Sequence, residues 1–347
     1  MPSEFDLIRR YFTHEVAHTE LGVGDDAALL APRPGMRLAV STDMLVAGTH
    51  FFADTDPCDL GWKTLAVNVS DLAAMGAEPR WAVLALSLPR ADEAWVADFA
   101  RGFLECACRF GIDLIGGDTT RGPLNLAVTI FGEVPEGQAI TRAGAHPEDD
   151  LWVSGQPGRA ALGLAVLRNQ VTLSPEGRSA CLSALHRPQP RVELGLGLRG
   201  VASAMLDVSD GLLGDLAHLL ERSGVGAIID AAALPIGPLV ACGADIDAAR
   251  AALLCGGDDY ELIFAAPATA RAHLAATAGS LGLALTRIGV LTDMSSVSSD
   301  NAGAGCRRRQ AVGGDDVLVV GRQVVGAEAL GHADDQATDD GPRDTAH

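Results

Sequence analysis

Apolar, strand-like runs alternate with helical patterns through the first half of the chain. "MRLAVSTDML" (36–45) and "RWAVLALSLP" (80–89) predict strands, and "LGWKTLAVNVSDLAAMGA" (60–77) predicts a helix between them. Residues 91–111 predict a second helix, with acidic residues in its first turn and Gly111 after its last. Further strands are predicted at 112–122 and 123–134. This alternation with extra strands predicts an α/β (α+β) fold.

The second half has a similar organisation after a segment rich in Gly, Pro and acidic residues at 141–158. Helices are predicted near 159–169 and 191–205, and "VLVVGRQVVG" predicts one more strand. We therefore expect an N-terminal domain over residues 1–146 and a C-terminal α/β domain over 147–310. The remaining residues, 311–347, are expected to form a disordered tail, because the last stretch, "HADDQATDDGPRDTAH", is small, polar and acidic.

Charge and composition exclude several classes of protein. The 347 residues include 45 acidic and 26 basic side chains, for a formal net charge of −19. Such a chain is not expected to bind nucleic acid or anionic membranes, both of which require clustered Lys and Arg. Seven scattered cysteines without C-x-x-C spacing predict reduced thiols instead of disulfides or zinc. With no signal peptide and no long apolar run, we expect a cytoplasmic protein.

Acidic residues recur beside Gly, Ser or Thr at the ends of predicted elements. A single Asp in such a position is usually only part of a turn. Here the pattern recurs at Asp25, Asp26, Asp43, Asp71, Asp118, Asp207, Asp210, Asp258, Asp259 and Glu261. Carboxylates that lie close together stay ionised only if cations lie between them, and oxygen ligands of this kind suit Mg²⁺. Because Mg²⁺ often also binds substrate phosphates, the pattern predicts a polyphosphate ligand held through metal ions.

Other phosphate or metal motifs fit poorly. The chain has no G-x-x-x-x-G-K-[ST] sequence, so it is not a P-loop protein. "GLGLRG" (195–200) matches G-x-G-x-x-G but lies inside a predicted helix instead of following a strand. "DVSDG" is not an EF-hand, because Ser209 occupies the third loop position.

Seven motifs, in order, resemble bacterial thiamine-monophosphate kinases. They are "GVGDDAALL", "STDMLVAGTHF", "NVSDLAAMGAEP", "IGGDTTRGP", "ITRAGAHPEDDLWVSG", "DVSDGLLGDLAHL" and "GGDDYEL". This family belongs to an ATP-binding superfamily that includes aminoimidazole-ribonucleotide synthetase. The resemblance implies a two-domain fold of that (PurM-like) type, whose N-terminal mixed sheet pairs across a homodimer. It also implies Mg²⁺-assisted transfer of the γ-phosphoryl group of ATP to thiamine monophosphate.

Residue roles follow from the same resemblance. It implies that several Mg²⁺ ions are bound by Asp26, Ser41, Thr42, Asp43, Asp71, Asp118, Asp207 and Asp210. It implies ATP contacts from Gly117, Asp118, Arg142 and Ser209, and thiamine monophosphate contacts from His50 and Asp258. Asp210, near the transferred group, and Asp43 are the expected catalytic carboxylates. Asp259 and Glu261 are expected to shape their loop more than to bind metal.

The chain departs from the family pattern at two places. Asp258 stands where the family usually has Glu, and no Tyr follows Tyr260 and no Trp follows Trp152 to form the expected C-terminal aromatic wall. These departures favour one alternative, a non-catalytic cation-binding relative. A second alternative is another ATP-using member of the superfamily, such as selenophosphate synthetase or aminoimidazole-ribonucleotide synthetase.

Overall fold

The computed structural model describes residues 8–14, 16–293 and 317–320. It begins with a short π-helical turn, Ile8–Phe12, and a two-stranded antiparallel ribbon of β1 (Thr19–Leu21) and β2 (Leu29–Leu30). The predicted tail lies outside the described residues apart from β12 (Val317–Val320), which confirms the additional strand predicted there. The domain boundaries at 146 and 310 stay predictions.

A four-stranded mixed sheet forms the centre of the N-terminal part. Its strands are β3 (Met36–Val46), β4 (Glu78–Leu88), β5 (Asp113–Arg121) and β6 (Asn125–Pro135), in the order β3-β6-β4-β5. β6 is antiparallel to both β3 and β4, whereas β4 and β5 are parallel. Parallel neighbours need a crossover connection, which is supplied here by a helix.

Two long helices cover one face of this sheet. Helix α1 (Pro57–Ala74) begins at Asp56, whose carboxylate accepts hydrogen bonds from the N–H groups of Cys58 and Asp59. Helix α2 (Glu93–Phe110) begins at Asp92 and ends before Gly111, whose φ of 66° fits a left-handed C-terminal cap. Most of α1 is buried because it packs against the sheet, against α2 and against the C-terminal part. The opposite face of the sheet has no such cover within the described chain.

The C-terminal part contains a six-stranded antiparallel sheet in the order β12-β9-β11-β7-β10-β8. Its other strands are β7 (Asp150–Ser154), β8 (Ala204–Val208), β9 (Val225–Asp230), β10 (Glu261–Ala266) and β11 (Leu285–Asp293). The helices are α3 (Arg159–Leu167), α4 (Pro175–His186), α5 (Val192–Gly197), α6 (Leu212–Ser223), α7 (Gly237–Ala241), α8 (Ile246–Cys255) and α9 (Arg271–Leu281). Strand β8 therefore leads into α6 at "DVSDG", as predicted.

The helix predicted over 191–205 is wrong in its second half. Helix α5 ends at Gly197, and Ala204–Val208 forms a buried strand of the sheet. The apolar run is compatible with either structure, and pairing with β10 stabilises the strand.

Among the six cysteines that the structure describes, five follow the prediction and one does not. Cys58, Cys106, Cys108, Cys181 and Cys242 are free thiols, whereas Cys255 is disulfide-bonded. Among the described residues, no helix combines the length and the apolar character that crossing a membrane requires.

Candidate active site at the junction of the two sheets

A buried hydrogen bond joins α1 to the C-terminal sheet. The Ser70 hydroxyl, in α1, donates to Asp207 Oδ2, in β8, over 2.7 Å. Both side chains are buried. Since the next residues form the β8–α6 turn, this contact places the turn beside α1.

Three predicted metal ligands, Asp43, Asp71 and Asp207, are brought together at this junction. Asp43 lies on β3, and its backbone N–H donates to the Asn68 side chain over 3.0 Å. Burial, and then the charge of Asp71, raises the pKa of Asp43 to about 6. The same two causes raise the pKa of Asp207 to about 7. Because the charge of Asp71 disfavours the ionisation of both Asp43 and Asp207, a divalent cation near Asp71 would favour the ionised forms of these residues.

Two further predicted residues act on Asp71, Ser41 through a hydrogen bond and Arg142 through its charge. The Ser41 hydroxyl donates to Asp71 Oδ2. Burial raises the pKa of Asp71, and this hydrogen bond and the positive charge of Arg142 reduce that rise. Ser41 and Asp43 share one face of β3 because alternate residues of a strand point the same way. Arg142 is exposed, and its carbonyl accepts a hydrogen bond from the Ser223 hydroxyl.

The turn that contains Ser209 and Asp210 is held by Asp215, which the sequence analysis did not single out. The backbone N–H groups of Ser209, Asp210 and Gly211 all donate to Asp215 Oδ2, over 2.9, 2.9 and 3.1 Å. Gly211 has a φ of 119°, a region that L residues rarely adopt. The signal for Asp215 was an acidic residue in the first turn of α6, from which its carboxylate reaches back to N–H groups of the preceding turn.

A cavity of about 450 Å³ adjoins this turn and is lined from both halves of the chain. His50, Ser209, Asp210 and Asp258, all predicted site residues, line it. His50 Nδ1 accepts a hydrogen bond from the Val46 N–H over 3.0 Å, which leaves Nε2 as the ring's free position. The cavity therefore brings the predicted substrate residues together with Asp210.

A buried lysine also lines the cavity. Lys63, in α1, is 4% exposed, and its ammonium lies 3.1 Å from Asp258 Oδ1. The sequence analysis missed it, because a single lysine in an apolar helix resembles an exposed charge. Its position in the middle of "LGWKTLAVNV" was the available signal.

The two carboxylates after Asp258 have structural roles, as predicted. Asp259 accepts hydrogen bonds from the N–H groups of Gly158 and Ala160 at the start of α3. Glu261 accepts from the Ser154 hydroxyl and forms an ion pair with Arg191.

Four predicted residues lie apart from this group within one chain. Gly117 and Asp118 are on β5, the sheet edge opposite β3. Register places Asp118 in one cross-strand row with Met44, on the face opposite Asp43. The Thr42 hydroxyl is also on that opposite face, where it donates to the Val128 carbonyl over 2.9 Å. Asp26 is exposed in the turn after β1.

No ready-made metal site exists among the described residues, since no three His, Cys, Asp or Glu side chains converge closely enough. Bound ions would therefore need further oxygen ligands, such as water or phosphate, as Mg²⁺ usually has.

The sequence matches two protein-family models and several known proteins. Residues 24–134 match the family described as AIR synthase related protein, N-terminal domain, and residues 146–300 match the corresponding C-terminal domain. The thiamine-monophosphate kinase of Escherichia coli K12 is 46% identical over 293 residues, which cover 83% of this chain and 90% of that protein. The chain belongs to the thiamine-monophosphate kinase family.

Solved structures of thiamine-monophosphate kinases share the fold. That of the Stenotrophomonas maltophilia enzyme has a TM-score of 0.78 and 50% identity, covering 84% of this chain and 94% of that one. A structure of AaThiL complexed with AMPPCP and TMP has a TM-score of 0.66 and 29% identity, covering 83% and 89%. The two-domain mixed α/β fold expected for a thiamine-monophosphate kinase is thus confirmed.

Proposed function

We propose that this chain transfers the γ-phosphoryl group of ATP to thiamine monophosphate, forming thiamine diphosphate and ADP. The observation that carries the proposal is the convergence of His50, Asp210 and Asp258 on one cavity beside the carboxylates of Asp43, Asp71 and Asp207. Relatives that match nearly full-length carry the name of this activity, and one was solved with TMP and AMPPCP, a non-hydrolysable ATP analogue.

Magnesium ions would be held by the carboxylates of Asp43, Asp71 and Asp207 and by that of Asp210. When bound, they neutralise the negative charges of the two phosphate-bearing substrates and of the transferred group. The raised pKa values of Asp43 and Asp207 support this assignment, because a cation stabilises the ionised forms that burial disfavours. The pattern argues against a role for these residues as simple surface acids.

The acceptor in this reaction is a phosphate oxygen that is already anionic near neutral pH. No strong general base is therefore required, and catalysis depends on alignment and on charge neutralisation. The Asp215 hydrogen bonds support such alignment, since they fix the backbone that carries Ser209 and Asp210. Arg142, beside Asp71, would add positive charge next to the nucleotide phosphates.

We further propose a homodimer that covers the open face of the N-terminal sheet. Leu38, Val40 and Met44 project from β3 on this face and are 45–56% exposed. Three large apolar side chains in one row are costly to leave in water, and paired copies would bury them. Asp118 and the Thr42 hydroxyl lie on the same face. With the ordinary strand spacing, Asp118 is about 14 Å from β3, three strands away. Dimerisation would therefore affect the surroundings of both.

The proposal is tested by incubating purified protein with ATP, Mg²⁺ and thiamine monophosphate and separating the products by chromatography. We expect thiamine diphosphate and ADP in equal amounts and no product from thiamine that lacks its phosphate. We expect Asp210→Asn to lose about 100- to 1000-fold in rate, the scale seen when charge stabilisation of a transition state is removed. Cation binding without product would instead favour the non-catalytic alternative. Product from a different phosphoryl acceptor would favour another superfamily activity.

A further inference from the structure

Lys63 is a charged residue that the fold has buried at some cost. Its side chain arises from α1, a helix packed on nearly all sides, and it is 4% exposed. Removing an ammonium group from water costs several kcal/mol, in order of magnitude, unless it is paired. The partner is Asp258, which also lines the cavity and whose Oδ1 lies 3.1 Å from the Lys63 ammonium.

The loop that carries Asp258 is tightly fixed to the end of β8. The Asp258 N–H donates to the Ser209 carbonyl and the Tyr260 N–H to the Val208 carbonyl, both over 2.8 Å. Asp258 and Tyr260 adopt φ values of 67° and 52°, which are uncommon for residues other than glycine. A side chain on Gly257 would lie 2.3 Å from the Ser209 carbonyl oxygen. The backbone conformation of this loop thus fixes the position from which the Asp258 side chain projects.

Two donors converge on a single oxygen of that carboxylate. The Tyr260 hydroxyl donates to Asp258 Oδ1 over 3.1 Å, and the Lys63 ammonium is 3.1 Å from the same atom. Within the described part of the chain, no hydrogen bond or ion pair to Asp258 Oδ2 is found. Lys63 and Tyr260 therefore orient the carboxylate by one oxygen and leave the other available to a ligand in the cavity.

The other positive groups of the cavity are poorly placed for this task. Arg168 is exposed at the cavity wall. Burial lowers the pKa of His186, although the charges of Asp59, Asp56 and Asp258 oppose that shift, so the imidazole is neutral near pH 7. Among the described lining residues, Lys63 is thus the buried cation that contacts Asp258.

We infer that Lys63 is a positioning residue for the acceptor substrate. By pairing with Oδ1, it orients the Asp258 carboxylate so that Oδ2 is left for the ligand. The ring system of thiamine monophosphate carries a thiazolium charge and an aminopyrimidine N–H donor, and a carboxylate oxygen in this position can interact with both. This inference rests on the proposed function and concerns the binding of the acceptor, not the transfer step.

A double-mutant cycle tests the inference with Lys63→Met, Asp258→Asn and both together. Binding of thiamine monophosphate is measured by calorimetry, and kcat is measured separately. We expect each single change to weaken binding about 10-fold or more, the scale of a lost charge-assisted hydrogen bond, and the double change to be at most about threefold worse than either single one. We also expect Lys63→Arg to recover most of the affinity and kcat to stay within about threefold, since the transfer step is not involved.

Arg168→Met provides the matched control, because it removes one positive charge from the same cavity. When Arg168→Met is combined with Asp258→Asn, the two losses of affinity should multiply, as for independent sites. When Lys63→Met is combined with Asp258→Asn, they should not. If the losses of affinity in Lys63→Met and Asp258→Asn multiply in the double variant, the inference is overturned. It is also overturned if Lys63→Arg binds thiamine monophosphate no better than Lys63→Met while thermal unfolding shows that both variants are folded. Unmodified protein that binds thiamine monophosphate but forms no thiamine diphosphate would contradict the proposed function and leave the cycle to decide the role of Lys63.

Discussion

The Ser70 hydroxyl donates a 2.7 Å hydrogen bond to the Asp207 carboxylate, and so connects α1 of the N-terminal part to β8 of the C-terminal part. The bond favours the ionised form of Asp207, against the burial that raises its pKa to about 7. The relative position of the two halves and the charge state of one proposed metal ligand are therefore coupled.

Ser70→Ala should destabilise the metal-free protein in a pH-dependent way. The change leaves a buried carboxylate without its donor, which costs about 1–3 kcal/mol of the free energy of unfolding when Asp207 is ionised. Since the lost bond favours the charged form, the penalty should grow as the pH rises from 6 to 8. Urea denaturation at both values measures it. Thr64→Val, which removes another buried α1 hydroxyl that donates only to the Leu60 carbonyl, is the control and should show no such trend. Equal penalties at both pH values would contradict the coupling.

Binding of Mg²⁺ should strengthen as the pH rises. The pKa of Asp43 is raised to about 6 and that of Asp207 to about 7, above the ordinary value of 3.8 for both. Between about pH 4 and 7, the metal-free folded protein therefore holds protons that the unfolded chain has released. Stability without metal should fall across that window, and a cation that displaces the protons should offset the fall.

The measurement is the shift in melting temperature caused by Mg²⁺ at pH 6 and pH 8. We expect the larger shift at pH 8, with the apparent affinity rising by up to about tenfold per pH unit for each proton released. Asp207→Asn removes one of these protons and should reduce the dependence. A larger shift at pH 6 would contradict the assignment of these carboxylates to metal.

Asp215→Ala should lower kcat more than it raises the KM for either substrate. Its carboxylate holds three backbone N–H groups of the turn that carries Asp210, and a loosened turn misaligns the transfer. We expect a loss of about 10- to 100-fold in kcat, the order of magnitude for a misplaced catalytic group. Asp245→Ala removes a comparable helix cap at α8 and should reduce stability without changing kcat. Equal losses of kcat in both variants would argue against a positioning role for Asp215.

Val40→Glu should convert the proposed dimer to monomers. The residue is 56% exposed in the middle of the apolar row on β3, and a buried unpaired charge at a paired face costs several kcal/mol, in order of magnitude. Light scattering after size-exclusion chromatography gives the mass. Ile246→Glu, at an equally exposed apolar residue of α8, is the control and should leave the mass unchanged. Unmodified protein that elutes as a monomer would contradict the proposal.

The local features of the site were largely predictable from sequence. Asp207 and Asp210 lie where β8 gives way to α6, because an apolar run before a glycine turn and an amphipathic run after it have different periods. Asp259 and Glu261, which were predicted to have structural roles, hold the start of α3 and the end of β7. The opposite orientation of the Thr42 hydroxyl follows from strand alternation and could have been foreseen.

Long-range relationships were not predictable. Strand order places β5 at the edge opposite β3, which separates Asp118 from Asp43, and nothing in the local pattern specifies that order. The Lys63–Asp258 pair joins residues 195 positions apart in sequence, so neither residue indicates the other. The early end of α5 depends on the pairing of β8 with β10, another tertiary effect.

The most direct test of the proposed metal-bridged site is anomalous diffraction from crystals grown with Mn²⁺ and a non-hydrolysable ATP analogue. We predict anomalous peaks for Mn²⁺ ions that are bonded to carboxylate oxygens of Asp43, Asp71 and Asp207 and to phosphate oxygens of the analogue. An analogue bound with no metal at these three carboxylates, or metals bound only elsewhere on the chain, would contradict the account.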